Sequence, residues 1–288
     1  MNTVNQTFNW KRFVAALRKE VVENSRTLVF SVIGIYAFLT FVMILGNIAM
    51  HSPEISSKMM SMRTPQTVVF GLLSLVVCVM ASLAFKNLTT KSGRTSYFTS
   101  PSSTLEKYLV NILIYVVGTI IAFFACAQLA DLTRIAVLKL LESSDFVVPG
   151  PINFLGKISN LSFNMGANIT DGGEMNALMT ATMYVSMISS AAMYLLGSVI
   201  WPKLSLLKTY AAGFVAETAF GIIALIAAVV VYMCGDIEAI SHWFVNFIKS
   251  GNFFIMILTY SAVLGVLFTV LSWYLFKRKD VVSLKWWK

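Results

Sequence analysis

Residues 251–276 read GNFFIMILTYSAVLGVLFTVLSWYLF, 26 positions without a charged side chain. A helix crosses a hydrocarbon core of roughly 30 Å with about 20 apolar residues, so this run is long enough to span a bilayer. In lipid the backbone must satisfy its own hydrogen bonds, and so uniform a run lacks the alternation of a barrel strand. It therefore reads as a transmembrane helix. Five more runs of similar length precede it, at 27–49, 64–85, 108–130, 176–201 and 209–235, and Glu217 is the one charge inside any of them. The fold expected is an all-α polytopic membrane protein with six transmembrane helices over 27–276.

Composition agrees. Of the 288 residues 57% are hydrophobic and 12% charged, about half the charged share of a soluble domain. That excludes a soluble enzyme, a disordered chain and a disulfide scaffold. The first 26 residues are mostly polar and charged, with no short apolar core and no small-x-small cleavage site, so the first run is expected to stay as an anchor. Cys78, Cys126 and Cys234 lie in or beside apolar runs without CxxC spacing and read as packing residues.

Charge reports topology. With six spans, one side of the membrane holds residues 1–26, 86–107, the connection with Lys203 and Lys208, and the basic tail 277–288. These carry 16 of the 22 Lys and Arg and four acids. By the positive-inside rule both termini are cytoplasmic. The outer loops come to a net −2, so the overall +9 requires no nucleic acid partner.

Within 8–24, Trp10, Phe13, Val14, Leu17 and Val21 recur at helical spacing, with Lys11, Arg12, Arg18 and Lys19 on the other side. An apolar stripe backed by a basic face, just before a span, is expected to lie flat in the headgroup layer as an N-terminal amphipathic interfacial helix. It would act as an anchor, as a lever into the first span, or as both. The connection 86–107, KNLTTKSGRTSYFTSPSSTLEK, is too long for a mere turn. Pro101 ends any preceding helix, and Ser103 with Glu106 forms the S-x-x-E capping box that starts the third span. Upstream, 86–96 has room for one or two helical turns, with Gly93 as a break before Tyr97 and Phe98. The outer segment 131–174 is long enough for structure of its own: Leu132, Ile135, Leu138 and Leu141, or Ile135, Leu138 and Lys139 with Glu142, suggest an amphipathic helix on the outer leaflet, followed by a Pro- and Gly-rich loop. Asn160 and Asn168 head glycosylation tripeptides, which matter only in a host that glycosylates.

Glu217 lies about 13 Å along its helix from Lys208. A carboxylate at that depth costs about 2–3 kcal/mol on insertion scales and must face protein or water. Gly213 and Gly221 flank it on one helical face, where another helix can approach closely. It reads equally as a polar point in a translocation path, as a proton site, or as a hydrogen-bonded packing residue. Met175, Met179, Met183 and Met187 form a stripe, and Met50, Met59, Met60 and Met62 cluster near His51; adaptable packing explains them better than copper. His51 and His242 fall in outer loops. Paired carboxylates, an H-E-x-x-H, a G-x-S-x-G and a P-loop are all missing from the sequence, so no catalytic site, metal site or cofactor is expected, and any ATP hydrolysis belongs to a partner.

The basic amphipathic segment before the first span, the six spans and the cytoplasmic connection between spans two and three resemble the membrane subunit of an ABC-2 type transporter. Ser96 to Leu109, SYFTSPSSTLEKYL, is similar to a P-x-S-x-x-E-K-[FY] pattern of bacterial members, matched by Pro101, Ser103, Glu106, Lys107 and Tyr108. The long outer segment departs from better-known members, which insert theirs between the last two spans. The resemblance implies a bacterial inner-membrane permease exporting an amphipathic substrate, paired with a second copy or a related chain. It also makes 86–107 the coupling segment that docks into a cytoplasmic ABC ATPase subunit, with Lys91, Arg94, Ser103 and Glu106 transmitting nucleotide state and Glu217 in the translocation path. The rival readings are an ATP-independent carrier or channel coupled through Glu217, and a non-transporting membrane scaffold.

Overall fold

The computed structural model describes residues 8–49, 63–140, 173–234 and 252–278, and among these every regular element is helical. The readings at Met50, His51, Met59, Met60, Met62, Asn160, Asn168 and His242, the Pro- and Gly-rich outer loop and the tail beyond Arg278 lie outside the described residues. Helices overlap all six apolar runs. Five are long and apolar enough to cross a membrane: Ser25–Gly46, Thr104–Leu140, Leu178–Ile200, Ser205–Ala227 and Asn252–Lys277. The remaining run has a shorter apolar stretch, Gly71–Leu83, among its described residues. The chain is a multi-pass helical membrane protein. It divides into two compact units.

The first unit holds α1 (Trp10–Glu23), α2 (Ser25–Ala49), α3 (Arg63–Leu83) as far as Met80, and α5 (Thr104–Leu140). Asn9 caps α1, its side-chain oxygen accepting the Lys11 N–H at 3.0 Å. Phe13 and Glu20, two turns apart on one face, are buried, whereas Trp10, Val14 and Val21 of the apolar stripe stay exposed. On α2 the buried residues are Ile35, Leu39 and Met43, spaced by one turn; α5 presents Phe123, Ala127 and Ala130. The Tyr36 and Thr133 hydroxyls meet at 3.0 Å across this pair. Cys126 and Cys78 are buried free thiols, as the packing reading expects.

At 37 residues α5 is about 55 Å long, well beyond a hydrocarbon core. The helix does not stop where the apolar run ends at Ala130. It carries Asp131 and Arg134 inward, both fully buried, with Arg134 Nη2 2.7 Å from Asp131 Oδ1. This pair neutralises itself across one turn, which lets a helix with two charges continue through a packed region where 131–174 alone suggested surface. Near the other end Leu113–Gly118 winds as a π-helix, and the Thr119 hydroxyl donates to the Tyr115 carbonyl at 2.8 Å.

The second unit holds residues 81–98, α6 (Gly173–Ile200), α7 (Ser205–Cys234) and α8 (Asn252–Lys277). α6 and α8 run parallel: the Thr182 hydroxyl reaches the Phe254 carbonyl at 3.4 Å, and further along Gly265 faces Ser189 so closely that a Cβ would lie 3.3 Å from the Ser189 Cα. Small residues at such crossings let backbones approach in the absence of a hydrophobic drive between helices. Between α6 and α7 the chain reverses in four residues, with Leu204 at φ 58° in the left-handed region that favours glycine. At that crossing a Cβ on Gly197 would overlap the Thr209 side chain. α7 then leaves α6. Met193 Cε lies 3.4 Å from where a Cβ on Gly213 would be, but Gly221 has nothing within 4 Å, and Phe214, Val215, Phe220, Ile222 and Ile226 are exposed.

Candidate functional site

The connection 86–107 is built from three short pieces. Lys86–Thr89 is a 3₁₀ turn, α4 spans Lys91–Thr99, and a four-residue turn through Pro101 leads to the capped start of α5. Gly93 does not break α4. The Thr90 hydroxyl accepts the Gly93 N–H at 3.1 Å, capping the first turn, and a Cβ on Gly93 would collide with the Asn87 carbonyl oxygen. Glycine is there because the 3₁₀ turn folds back onto the helix, not because the helix ends. Pro101 follows the last residues of α4, as its ring predicts.

The first part of the connection belongs to the second unit. Lys91 is exposed and Arg94, one turn on, is half-buried with its Nε out of water and without a hydrogen-bond partner. Below them an aromatic cluster closes the bundle end. The Phe276 ring centre lies 4.9 Å from Phe85 and 6.3 Å from both Tyr97 and Phe98. The Thr89 hydroxyl donates to the Pro202 carbonyl at 3.1 Å, tying the 3₁₀ turn to the α6–α7 reversal.

Ser103 and Glu106 belong to the first unit, where they form the expected capping box. The Ser103 N–H donates to Glu106 Oε2 at 2.8 Å, and Ser103 Oγ accepts the Glu106 N–H at 3.2 Å. The other carboxylate oxygen does something that the spacing of Ser103 and Glu106 could not reveal. Oε1 accepts the Asn9 N–H at 2.8 Å and an Arg12 Nη2–H at 3.2 Å, so one fully buried carboxylate holds the starts of both α1 and α5. The Ser103 and Asn9 N–H donors and the Arg12 guanidinium give the buried carboxylate the polar partners that its burial requires. The neighbouring Lys107 turns its ammonium to the Ser100 carbonyl at 3.2 Å. Phe13 packs beneath the clamp with Phe8 and Trp10, ring centres 5.5 and 5.6 Å away.

The structure thus brings Ser103 and Glu106 together, sets Lys91 and Arg94 on successive turns of α4, and places Glu217 on a separate element, the exposed stretch of α7. Asn9 and Arg12 are the site residues the sequence did not mark. Arg12 counted only toward a basic face, and nothing local links it to a residue 94 positions away. Among the described residues no group of three His, Cys, Asp or Glu is placed to hold a metal ion. The Glu106 carboxylate takes three donors from the starts of two helices, two on Oε1 and one on Oε2, and so ties those helix starts together.

No protein-family model, curated protein or solved structure matches this chain. Its class is the one the fold defines, a multi-pass α-helical membrane protein.

Proposed function

We propose that the chain is the transmembrane permease subunit of an ATP-driven ABC-2 type exporter. In this reading it has six spans, an interfacial α1, both termini in the cytoplasm of a bacterial cell and a second permease copy or paralogue beside it. The observation that carries the reading is the Glu106 clamp. The connection expected to meet an ATPase ends in a carboxylate that also grips the first turn of α1. A push on that connection moves α1 and the third span together. Lys91 and Arg94 on α4 supply the docking cations. Trp10, Val14 and Val21, exposed beside Lys11 and Arg18, suit a helix lying in the headgroup layer.

Glu217 supports the paired arrangement. It is exposed on a helix that is apolar all round, and facing lipid it would cost about 2–3 kcal/mol. A second chain or a water-lined path beside α7 removes that cost. The exported substrate is amphipathic, as the exposed apolar wall with one carboxylate suggests.

The same residue sustains the second reading, a carrier or channel coupled through Glu217 without ATP. Reconstituted transport separates the two. In the ATP-driven machine Arg94→Glu abolishes ATP-dependent flux while Glu217→Gln lowers it modestly. Loss of all flux in Glu217→Gln, with Arg94→Glu unaffected and no need for ATP, would establish the carrier instead.

A further inference from the structure

One corner of the second unit combines four exposed cations with an apolar groove. The bundle end where residues 81–89, the α6–α7 reversal and the last turn of α8 converge carries Lys86, Lys203, Lys277 and Arg278, all exposed. Among the described residues none of the four forms an ion pair. The acids of this unit's described residues stand elsewhere: Glu174 is near the opposite end of α6, and Glu217 about 18 Å along α7 from Ser205. The Arg278 guanidinium sits over the Tyr274 ring, 4.2 Å from its centre. Tyr274 in turn lies at one end of a shallow, open apolar groove on the face of α8 itself, lined by Ala262, Val263, Val266, Leu267, Val270 and Leu271.

We propose that this corner is a binding site for an anionic phospholipid. The headgroup phosphate is held by Arg278 and Lys277, within the field of Lys86 and Lys203, and an acyl chain lies in the α8 groove. Three features favour a lipid over an acidic protein surface. Lys277 is the last residue of the membrane-length α8, with Arg278 next to it and Lys203 three residues past the end of the membrane-length stretch of α6, the depth of headgroup phosphates; Tyr274 and Trp273 mark an interfacial aromatic belt; and the groove leads from the cations along the apolar helix. A zwitterionic headgroup gains little here, because its own cation meets four others.

The test is native mass spectrometry of the whole protein released from nanodiscs of equal phosphatidylglycerol and phosphatidylcholine. Wild type retains the anionic lipid at least about tenfold over the zwitterionic one. Removing a cation costs about fivefold in affinity, so Lys277→Gln with Arg278→Gln erases the preference, while Lys277→Arg with Arg278→Lys keeps it. Val270→Trp leaves every charge in place and fills the groove, and it too lowers retention. The proposal is overturned by equal retention of both lipids in wild type, by retention unchanged in the Gln pair or in Val270→Trp, or by loss in the charge-conserving pair. It is equally overturned if inorganic phosphate displaces the lipid at matching concentration, which would make the site a receptor for free phosphate.

Discussion

At the scale of the residue, Glu106 concentrates the largest consequence in the fewest atoms. Glu106→Gln leaves a single carbonyl oxygen where two carboxylate oxygens now serve donors from Ser103, Asn9 and Arg12. At least one buried N–H then goes unpaired, at about 2 kcal/mol. Arg12→Ala costs below about 1 kcal/mol, since that guanidinium is 38% exposed and solvent screens it. Thermal melts of the two single variants and the double variant should show a favourable coupling between 12 and 106, and strict additivity would mean that the contact does not form. The capping box was legible from S-x-x-E alone, since a cap is a local matter. The clamp on Asn9 and Arg12 was not, because long-range pairing leaves no periodic trace.

Elements show the same division between local and distant causes. All six apolar runs fall on helices, because in lipid length and apolarity leave the backbone one solution. The places where expectation slipped are those where a side chain finds its partner inside the fold. Asp131 and Arg134 marked the end of a span by charge, yet an i, i+3 pair that cancels itself lets α5 run to Leu140. Gly93 looked like a break and serves a close approach instead. Of the glycine strip around Glu217, Gly213 meets α6 through Met193, and Gly221 meets nothing among the described residues. The tightest crossing, Gly197 against Thr209, lay outside that strip. Gly197→Val should force α6 and α7 apart there and cost about 1–3 kcal/mol of stability, with Thr209→Ala restoring part of it. If Gly197→Val melts like wild type, the close crossing is wrong.

For the whole molecule, the multi-pass helical class was plain in composition and run length, and charge placement supplied an orientation for the proposal. Function was less legible, because it rests on one motif of about a dozen residues and on surfaces that a single chain leaves uncovered. α7 is the plainest case: Phe214, Val215, Phe220, Ile222 and Ile226 are exposed around one carboxylate, a surface whose meaning depends on what lies beside it. The proposed exporter needs a separate ATPase docked on the connection between spans two and three. Its most direct test is affinity purification of the tagged chain from its native membrane in mild detergent, with stoichiometry by mass spectrometry and ATP hydrolysis measured on the eluate. A stoichiometric P-loop ATPase and measurable hydrolysis are expected, both lost in Arg94→Glu. Recovery of the chain alone and without hydrolysis, from native membranes and again after chemical cross-linking before extraction, would rule out the permease reading.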